Sequence, residues 1–411
     1  LEEKLKINYN ETQEKAIKGA LNNNITIISG GPGTGKTTII NAIVKLYIEK
    51  EKLGSADIME TIALLAPTGR AAKKMNSSTG IPAYTIHRYL KWYKDSNEFV
   101  YNEFNKTHHK LIIVDEVSMI DVDLFNALLN GINSNIKLIL VGDTFQLPSV
   151  GPGLVLNELI ESDYFNYIPL NQIYRQSDNS YIPFLAKEIK NNDLSEEFLT
   201  KKDDYNFVNV DSSNIKKAIM QITNYSLSKG LDERNVQVLA PMYKGDAGID
   251  ALNVILQNIY NPSKRNKEEV IYGDFIYRED DKVLQLVNDL DNNVFNGDIG
   301  FIERITGNKI IIDFDGNKVE YEKKDLKNIK HAYAISIHKS QGSEFMHVIM
   351  PISTSYYKML YNKLIYTGVS RAKKSLTLVG DPTAFQRAVN NNYSSSRKTS
   401  LKEQISIVYN K

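Results

Sequence analysis

An apolar run over 25–29 breaks into Gly30-Gly31-Pro32-Gly33-Thr34-Gly35-Lys36-Thr37-Thr38, and this stretch restricts the possible fold more than any other. Its spacing fits G-x-x-x-x-G-K-[ST], a strand that turns into a helix through a loop wrapped around phosphate oxygens. Glycines let the chain turn tightly and aim successive backbone N–H groups at one point. Lys36 adds a point charge, Thr37 a hydroxyl suited to Mg²⁺, and the following helix the positive end of its dipole. The candidate nucleotide-binding residues are therefore Gly31, Pro32, Gly33, Thr34, Gly35, Lys36, Thr37 and Thr38. The competing reading is an ordinary Gly-rich turn between strand and helix.

A second feature weighs against that reading. Leu111-Ile112-Ile113-Val114-Asp115-Glu116 is a continuous apolar run of the kind that fits a buried parallel strand, and it delivers two carboxylates at its end. Asp115 suits a Mg²⁺ shell, directly or through water, and Glu116 suits the base that activates an attacking water.

Lys+Arg 50 against Asp+Glu 49 leaves a formal charge of +1, so any nucleic-acid affinity must come from a local basic groove. Cysteine is absent, which excludes disulfides and thiolate metal sites. No apolar run approaches the roughly 18 residues of a membrane span, and the N-terminus lacks a basic-then-apolar leader. The expectation is a soluble, cytoplasmic protein.

Apolar β-type runs at 25–29, 61–66, 111–114 and 136–141, separated by room for crossover helices, predict a parallel α/β sheet. A second series at 236–240, 332–337, 346–350 and 376–379 predicts another, with helical patterns at 247–259 and 383–390. Between about 283 and 330, Asn296-Gly297 and Asp315-Gly316 punctuate alternating runs and predict hairpins, hence a small inserted all-β barrel. A shorter insertion, 91–106, alternates aromatics around Asp95-Ser96-Asn97; it reads as a hairpin or as a plain surface excursion.

Further blocks complete the pattern: Ala66-Pro67-Thr68-Gly69-Arg70, Thr85-Ile86-His87-Arg88, Gly142-Asp143-Thr144-Phe145-Gln146-Leu147-Pro148, Gln172-Ile173-Tyr174-Arg175-Gln176, His338-Lys339-Ser340-Gln341-Gly342-Ser343-Glu344-Phe345 and Thr367-Gly368-Val369-Ser370-Arg371-Ala372. In this order they resemble the superfamily 1B helicases of the RecD-like branch, most closely the bacterial RecD2 type. The resemblance runs from about Asn10 to the C-terminus.

The resemblance implies two tandem RecA-like lobes with a β-hairpin insertion in the first and a small SH3-like β-barrel in the second. The expected domains are 1–168 with the hairpin at about 90–108, 169–282 together with 331–411, and the barrel at 283–330. It also implies ATP and Mg²⁺ as ligands and single-stranded DNA and its junctions with duplex as partners of a monomeric core. Gln13 would read the adenine edge, and Tyr174 would stack on the base unless it is a core tyrosine. Thr37 and Asp115 would hold the metal. Lys36, Glu116, Gln146, Arg175 and Arg371 would carry the hydrolysis, the two arginines reaching the γ-phosphate from the second lobe. Gly342 and Glu344 would border the nucleotide.

Pro67, Thr68, Arg70 and His87 of the first lobe, with His338, Ser340 and Gln341 of the second, match positions at which the family grips the single strand. Short polar side chains and backbone donors hold phosphates without reading sequence, so binding would be sequence-tolerant and salt-sensitive. Lys73 and Lys74 either add charge beside the groove or, as their pattern favours, form a solvated helix face. Movement from 5′ to 3′, the 91–106 hairpin as a pin that splits the duplex and the barrel as a clamp on DNA are implied by the resemblance alone. The helix-hairpin-helix region that precedes the core in longer family members has no counterpart in this sequence, and Arg397-Lys398-Thr399-Ser400-Leu401 resembles the family's ending. Three readings compete: a translocase subunit without autonomous unwinding, an RNA-directed motor, and a P-loop nucleotide kinase or non-motor binding module. The Arg175–Arg371 pair and the HKSQGSEF block oppose the last.

Overall fold

The computed structural model describes residues 8–93, 98–172, 180–289, 291–392 and 397–410. They form two units, one within 1–178 and 394–411 and the other within 179–393.

The first unit is built on eight strands: β1 (Ile25–Gly30), β2 (Ile62–Ala66), β3 (Ala83–Thr85), β4 (Trp92–Tyr93), β5 (Glu98–Phe99), β6 (Leu111–Val114), β7 (Lys137–Gly142) and β8 (Asn166–Leu170). Six of these form one parallel sheet in the order β3-β2-β6-β7-β1-β8. Helices cover both faces, which explains why the strands read as continuous apolar runs. Ile28, Ile113 and Ile139 point into one core with Ile39 and Ile43 of the helix Lys36–Glu51. Ile27, Ile112 and Leu140 point into the other, with Phe125 and Leu128 of the helix Val122–Gly131.

The insertion forms the hairpin, with Trp92 opposite Phe99 and Tyr93 opposite Glu98. Its expected tip, Asp95 to Asn97, lies outside the described residues. The end of the chain departs from the expectation that 331–411 belongs wholly to the second lobe. Helix Leu401–Tyr409 belongs to the first unit, where Leu401 and Ile405 pack against the core that Leu156 and Leu159 enter. Tyr409 stacks on Tyr164 at 4.5 Å. The apolar stripe of a nine-residue helix finds its partner in space, and nothing in its spacing names that partner.

In the second unit, β9 (Tyr205–Asn209) and β10 (Val236–Ala240) are followed by a hairpin of β11 (Glu269–Tyr272) and β12 (Phe275–Arg278). Next come β13 (Lys282–Gln285), β14 (Ile299–Thr306), β15 (Lys309–Phe314), β16 (Asn317–Glu322) and β17 (Ile329–His331), an antiparallel sheet in the order β16-β15-β14-β13-β17. Asp315 and Gly316 both take positive φ in the β15–β16 turn, the conformation a two-residue hairpin loop requires. The β11–β12 hairpin, which the sequence reading leaves outside the barrel, adds Val270 and Tyr277 to the same core. The chain then returns through β18 (Ala334–Ser336), β19 (Phe345–Ile352) and β20 (Ala372–Gly380), giving a parallel sheet in the order β18-β10-β19-β20-β9.

A fully buried carboxylate ties these parts together. Asp281 accepts hydrogen bonds from Gln257 Nε2 (2.7 Å), Asn261 Nδ2 (2.8 Å), the Arg278 backbone N–H (2.7 Å) and Tyr333 Oη (2.9 Å), and lies 3.1 Å from His331 Nε2. These partners come from helix Ile249–Tyr260 and the residue after it, from β12, from the end of β17 and from the residue just before β18. A buried charge is tolerated only when its lone pairs are satisfied in this way.

Candidate nucleotide site

Strands β6, β7 and β1 are neighbours, and their carboxyl ends carry the acidic pair, the 143–148 loop and the glycine loop. Parallel alignment therefore brings together three segments far apart in sequence, at the edge where open α/β sheets bind ligands.

The glycine loop ends with Gly35 at φ 85°, the cap of helix Lys36–Glu51. A Cβ there would displace Gln13 Nε2, and the positive φ itself favours glycine. Lys36 Nζ donates to the Gly30 and Gly31 carbonyls, and Thr34 Oγ1 donates to Gly31 O at 2.9 Å. Thr37 and Thr38 occupy the first turn of the helix, beside its unpaired N–H groups.

Gln13 reaches this loop from helix Glu11–Asn22. Its backbone N–H donates to Asn10 Oδ1 (2.7 Å), its Oε1 accepts from the Asn10 N–H (3.2 Å), and its Nε2 donates to Thr34 O (3.3 Å). Half of the amide's hydrogen-bonding capacity thus serves the helix cap and the loop, and one N–H and one lone pair remain.

Asp115 follows β6 and accepts from the Glu116 backbone N–H at 2.8 Å. Burial, and then the neighbouring Glu116 charge, push its carboxyl up to about 6, while Lys36 and Lys74 pull the other way. Glu116 adopts φ 53°, an uncommon conformation for a non-glycine residue and one that clusters at functional sites. Its Oε2 is buried without a hydrogen-bond partner, as is Gln146 Oε1, while Gln146 Nε2 points at Asp143 Oδ2 (3.4 Å). Two buried acceptors without a protein partner thus lie in segments next to a carboxyl whose charged form burial disfavours. That donor set fits Mg²⁺ and a water. Among the described residues no three acidic or histidine side chains cluster as metal ligands.

Lys74 is exposed on helix Gly69–Thr79, as a solvated helix face requires. It also acts electrostatically on Asp115.

The expected DNA-contacting residues divide. Pro67, Thr68 and Arg70 follow the carboxyl end of β2, and Thr68 Oγ1 also caps helix Gly69–Thr79 by accepting from the Ala71 N–H (3.3 Å). His87 is half-buried beside the hairpin, its ring 5.7 Å from Trp92 and 5.9 Å from Phe99, and burial lowers its pKa. In the second unit, His338, Ser340 and Gln341 follow β18 in a tight turn. Ser340 is fully buried and donates to Ile337 O (2.7 Å), so its hydroxyl shapes the turn. His338 is half-buried, Gln341 is buried, and Gly342 turns the chain at φ 72°. Glu344 pairs with Lys373 at 3.2 Å.

Arg371 is buried in its own unit, donating to Thr367 O (3.1 Å), Ser343 O (3.1 Å) and Ser370 Oγ (2.9 Å). Tyr174 and Arg175 lie outside the described residues.

Comparison with known proteins matches 13–152 to the AAA domain, 252–314 to the SH3 domain of ATP-dependent RecD-like DNA helicases and 331–379 to the UvrD-like helicase C-terminal domain. The chain is 32% identical over 395 residues to the ATP-dependent RecD2 DNA helicase of Deinococcus radiodurans, covering 96% of this chain and 52% of that protein. It is 30% identical over 448 residues to the RecBCD enzyme subunit RecD of Buchnera aphidicola subsp. Acyrthosiphon pisum, covering 92% of this chain and 73% of that subunit. It thus spans about half the length of the first of these relatives. Among solved structures, Bacteroides Pif1 bound to ssDNA superposes with a TM-score of 0.54 at 18% identity, covering 93% of this chain and 94% of that one. The Pif1 helicase of Candida albicans does so with a TM-score of 0.54 at 17% identity, covering 98% and 99%. At such identity these two share the fold.

Proposed function

The chain belongs to the RecD-like branch of the superfamily 1 helicases, and from that premise we propose that it hydrolyses Mg-ATP and couples hydrolysis to 5′ to 3′ movement along single-stranded DNA and to duplex unwinding. The observation that carries the hydrolytic part is the convergence of Lys36, Asp115, Glu116 and Gln146 at the carboxyl ends of three adjacent strands. The cradle holds the phosphates, and Gln13 reads adenine with its remaining donor and acceptor. Thr37 and Asp115 would hold Mg²⁺, which would supply positive charge to offset that of the phosphates. The unpaired Oε2 of Glu116 takes a proton from the attacking water as its oxygen bonds to the γ-phosphorus and the bond to the ADP oxygen breaks. Gln146 Oε1 orients that water. Arg371 and Arg175 stabilise charge on the transferred group, a role that can be worth about 10³ in rate.

Pro67, Thr68, Arg70 and His87, with His338 and Gln341, grip the strand without reading its sequence. The working form is a monomeric core acting at junctions of single-stranded and duplex DNA in the cytoplasm. Among the described residues no helix is long and apolar enough to cross a membrane.

Steady-state ATP hydrolysis with and without single-stranded DNA, and with RNA, tests this reading. Stimulation by DNA is expected; stimulation by RNA alone, or by neither, overturns it. A second reading has support in the naming of one relative as a RecBCD enzyme subunit. A translocase that works within a larger assembly would show DNA-stimulated hydrolysis without strand displacement on its own.

A further inference from the structure

Arg397 reaches the loop that follows Gln146. Its Nη1 donates to Gly151 O (2.5 Å), Gly153 O (3.0 Å) and Ser149 Oγ (3.2 Å), and its Nη2 donates to Ser149 O (2.5 Å). Two residues on, Thr399 Oγ1 donates to Glu158 Oε1, fastening the segment to helix Val155–Glu161. The opposite side of the 149–153 loop lies against the start of helix Val122–Gly131, where the Val122 N–H donates to Pro152 O at 3.0 Å. A Cβ on Gly151 would overlap the Asp121 carboxylate, and one on Gly153 would overlap the Val122 side chain, so the glycine backbone packs directly against these two side chains. The helix start is joined through the short turn Val117–Met119 to Glu116, and the loop through Leu147 and Pro148 to Gln146.

We propose that Arg397 is a positioning residue for hydrolysis: by clamping the 149–153 loop against the Asp121–Val122 helix start, it fixes Gln146 relative to Glu116. The proposal rests on the reading of this site as an ATPase centre. Its physical basis is donor geometry. Three loop carbonyls and a hydroxyl surround the two terminal nitrogens of the guanidinium, whose N–H donors are fixed in one plane, an arrangement that a lysine ammonium on a flexible stem does not reproduce. Gln146 Oε1, buried with no partner of its own, depends on its loop for its position.

Arg397→Ala should lower the DNA-stimulated kcat about tenfold while leaving KM for ATP within about twofold, the pattern of a displaced group that acts after binding. Arg397→Lys should recover part of the loss, and it carries the comparison if the alanine variant fails to fold. The Gln146→Ala/Arg397→Ala double variant should be no slower than Gln146→Ala alone. Amide exchange in the nucleotide-free protein should speed up over 146–153 and 117–123 in Arg397→Ala. Unchanged kcat, losses that combine in full in the double variant, or unchanged exchange over those segments would overturn the proposal. A wild-type protein that turns over normally beside such a result would leave the ATPase reading standing, whereas absence of turnover in the wild type would overturn both.

Discussion

Lys36 Nζ donates to the carbonyl of Gly30 at 2.6 Å, so the ammonium is folded back onto the loop that carries it. On the proposed reading, a nucleotide phosphate takes the place of that carbonyl as the partner of the charge. Lys36→Ala should reduce kcat by about 100-fold or more, as removal of a donor aimed at developing charge does. Retention of DNA binding, measured by fluorescence anisotropy, is expected, because none of the proposed DNA-gripping residues belongs to the cradle.

Asp115 makes stability depend on pH. Its carboxyl ionises near 3.8 in the unfolded chain and near about 6 when folded, so between those values the folded state holds a proton that the unfolded state has released. Stability contributed by this group is therefore present below pH 3.8 and lost as pH rises through about 6. In melting curves without nucleotide, Asp115→Asn should gain stability relative to wild type on going from acid to neutral pH. A constant difference between the two proteins would contradict the shift.

The Arg371 guanidinium is buried against two carbonyls and a hydroxyl. Truncation to alanine should cost the second unit about 1–3 kcal/mol, through acceptors left unpaired. It should lower kcat more than it weakens ATP binding, the signature of a group that acts in the transition state. Equal losses in turnover and affinity would remove Arg371 from that role.

Asp281 carries a structural prediction. Its replacement by alanine strands the donors of Gln257, Asn261, Arg278 and Tyr333 in a fully buried site, and should destabilise the second unit by about 3 kcal/mol or more in urea denaturation. Asp281→Asn, which keeps one acceptor, should cost less.

What could be read from the sequence was what chemistry restricts. A cradle for phosphates needs glycines, a lysine and a hydroxyl at fixed spacing, and strands buried on both faces must be apolar throughout, so β1, β2, β6 and β7 stand out. Edge strands are less restricted. Strand β8 carries Pro169 and β3 has three residues, and both escape periodicity. The β11–β12 hairpin turns at Gly273-Asp274 and joins the barrel through Val270, Tyr272, Phe275 and Tyr277, a long-range fact. The grip of Arg397 on 149–153 and the charge of Lys74 near Asp115 depend on which segments the fold brings together. No local pattern encodes either.

The central claim is that ATP hydrolysis at the cradle drives movement from 5′ to 3′ along DNA. Strand displacement from otherwise identical duplexes bearing a 5′ or a 3′ single-stranded overhang, with ATP and Mg²⁺, tests it most directly. Displacement from the 5′ overhang, abolished by Lys36→Ala, is expected. Displacement from the 3′ overhang alone, or displacement that survives in Lys36→Ala, would contradict it.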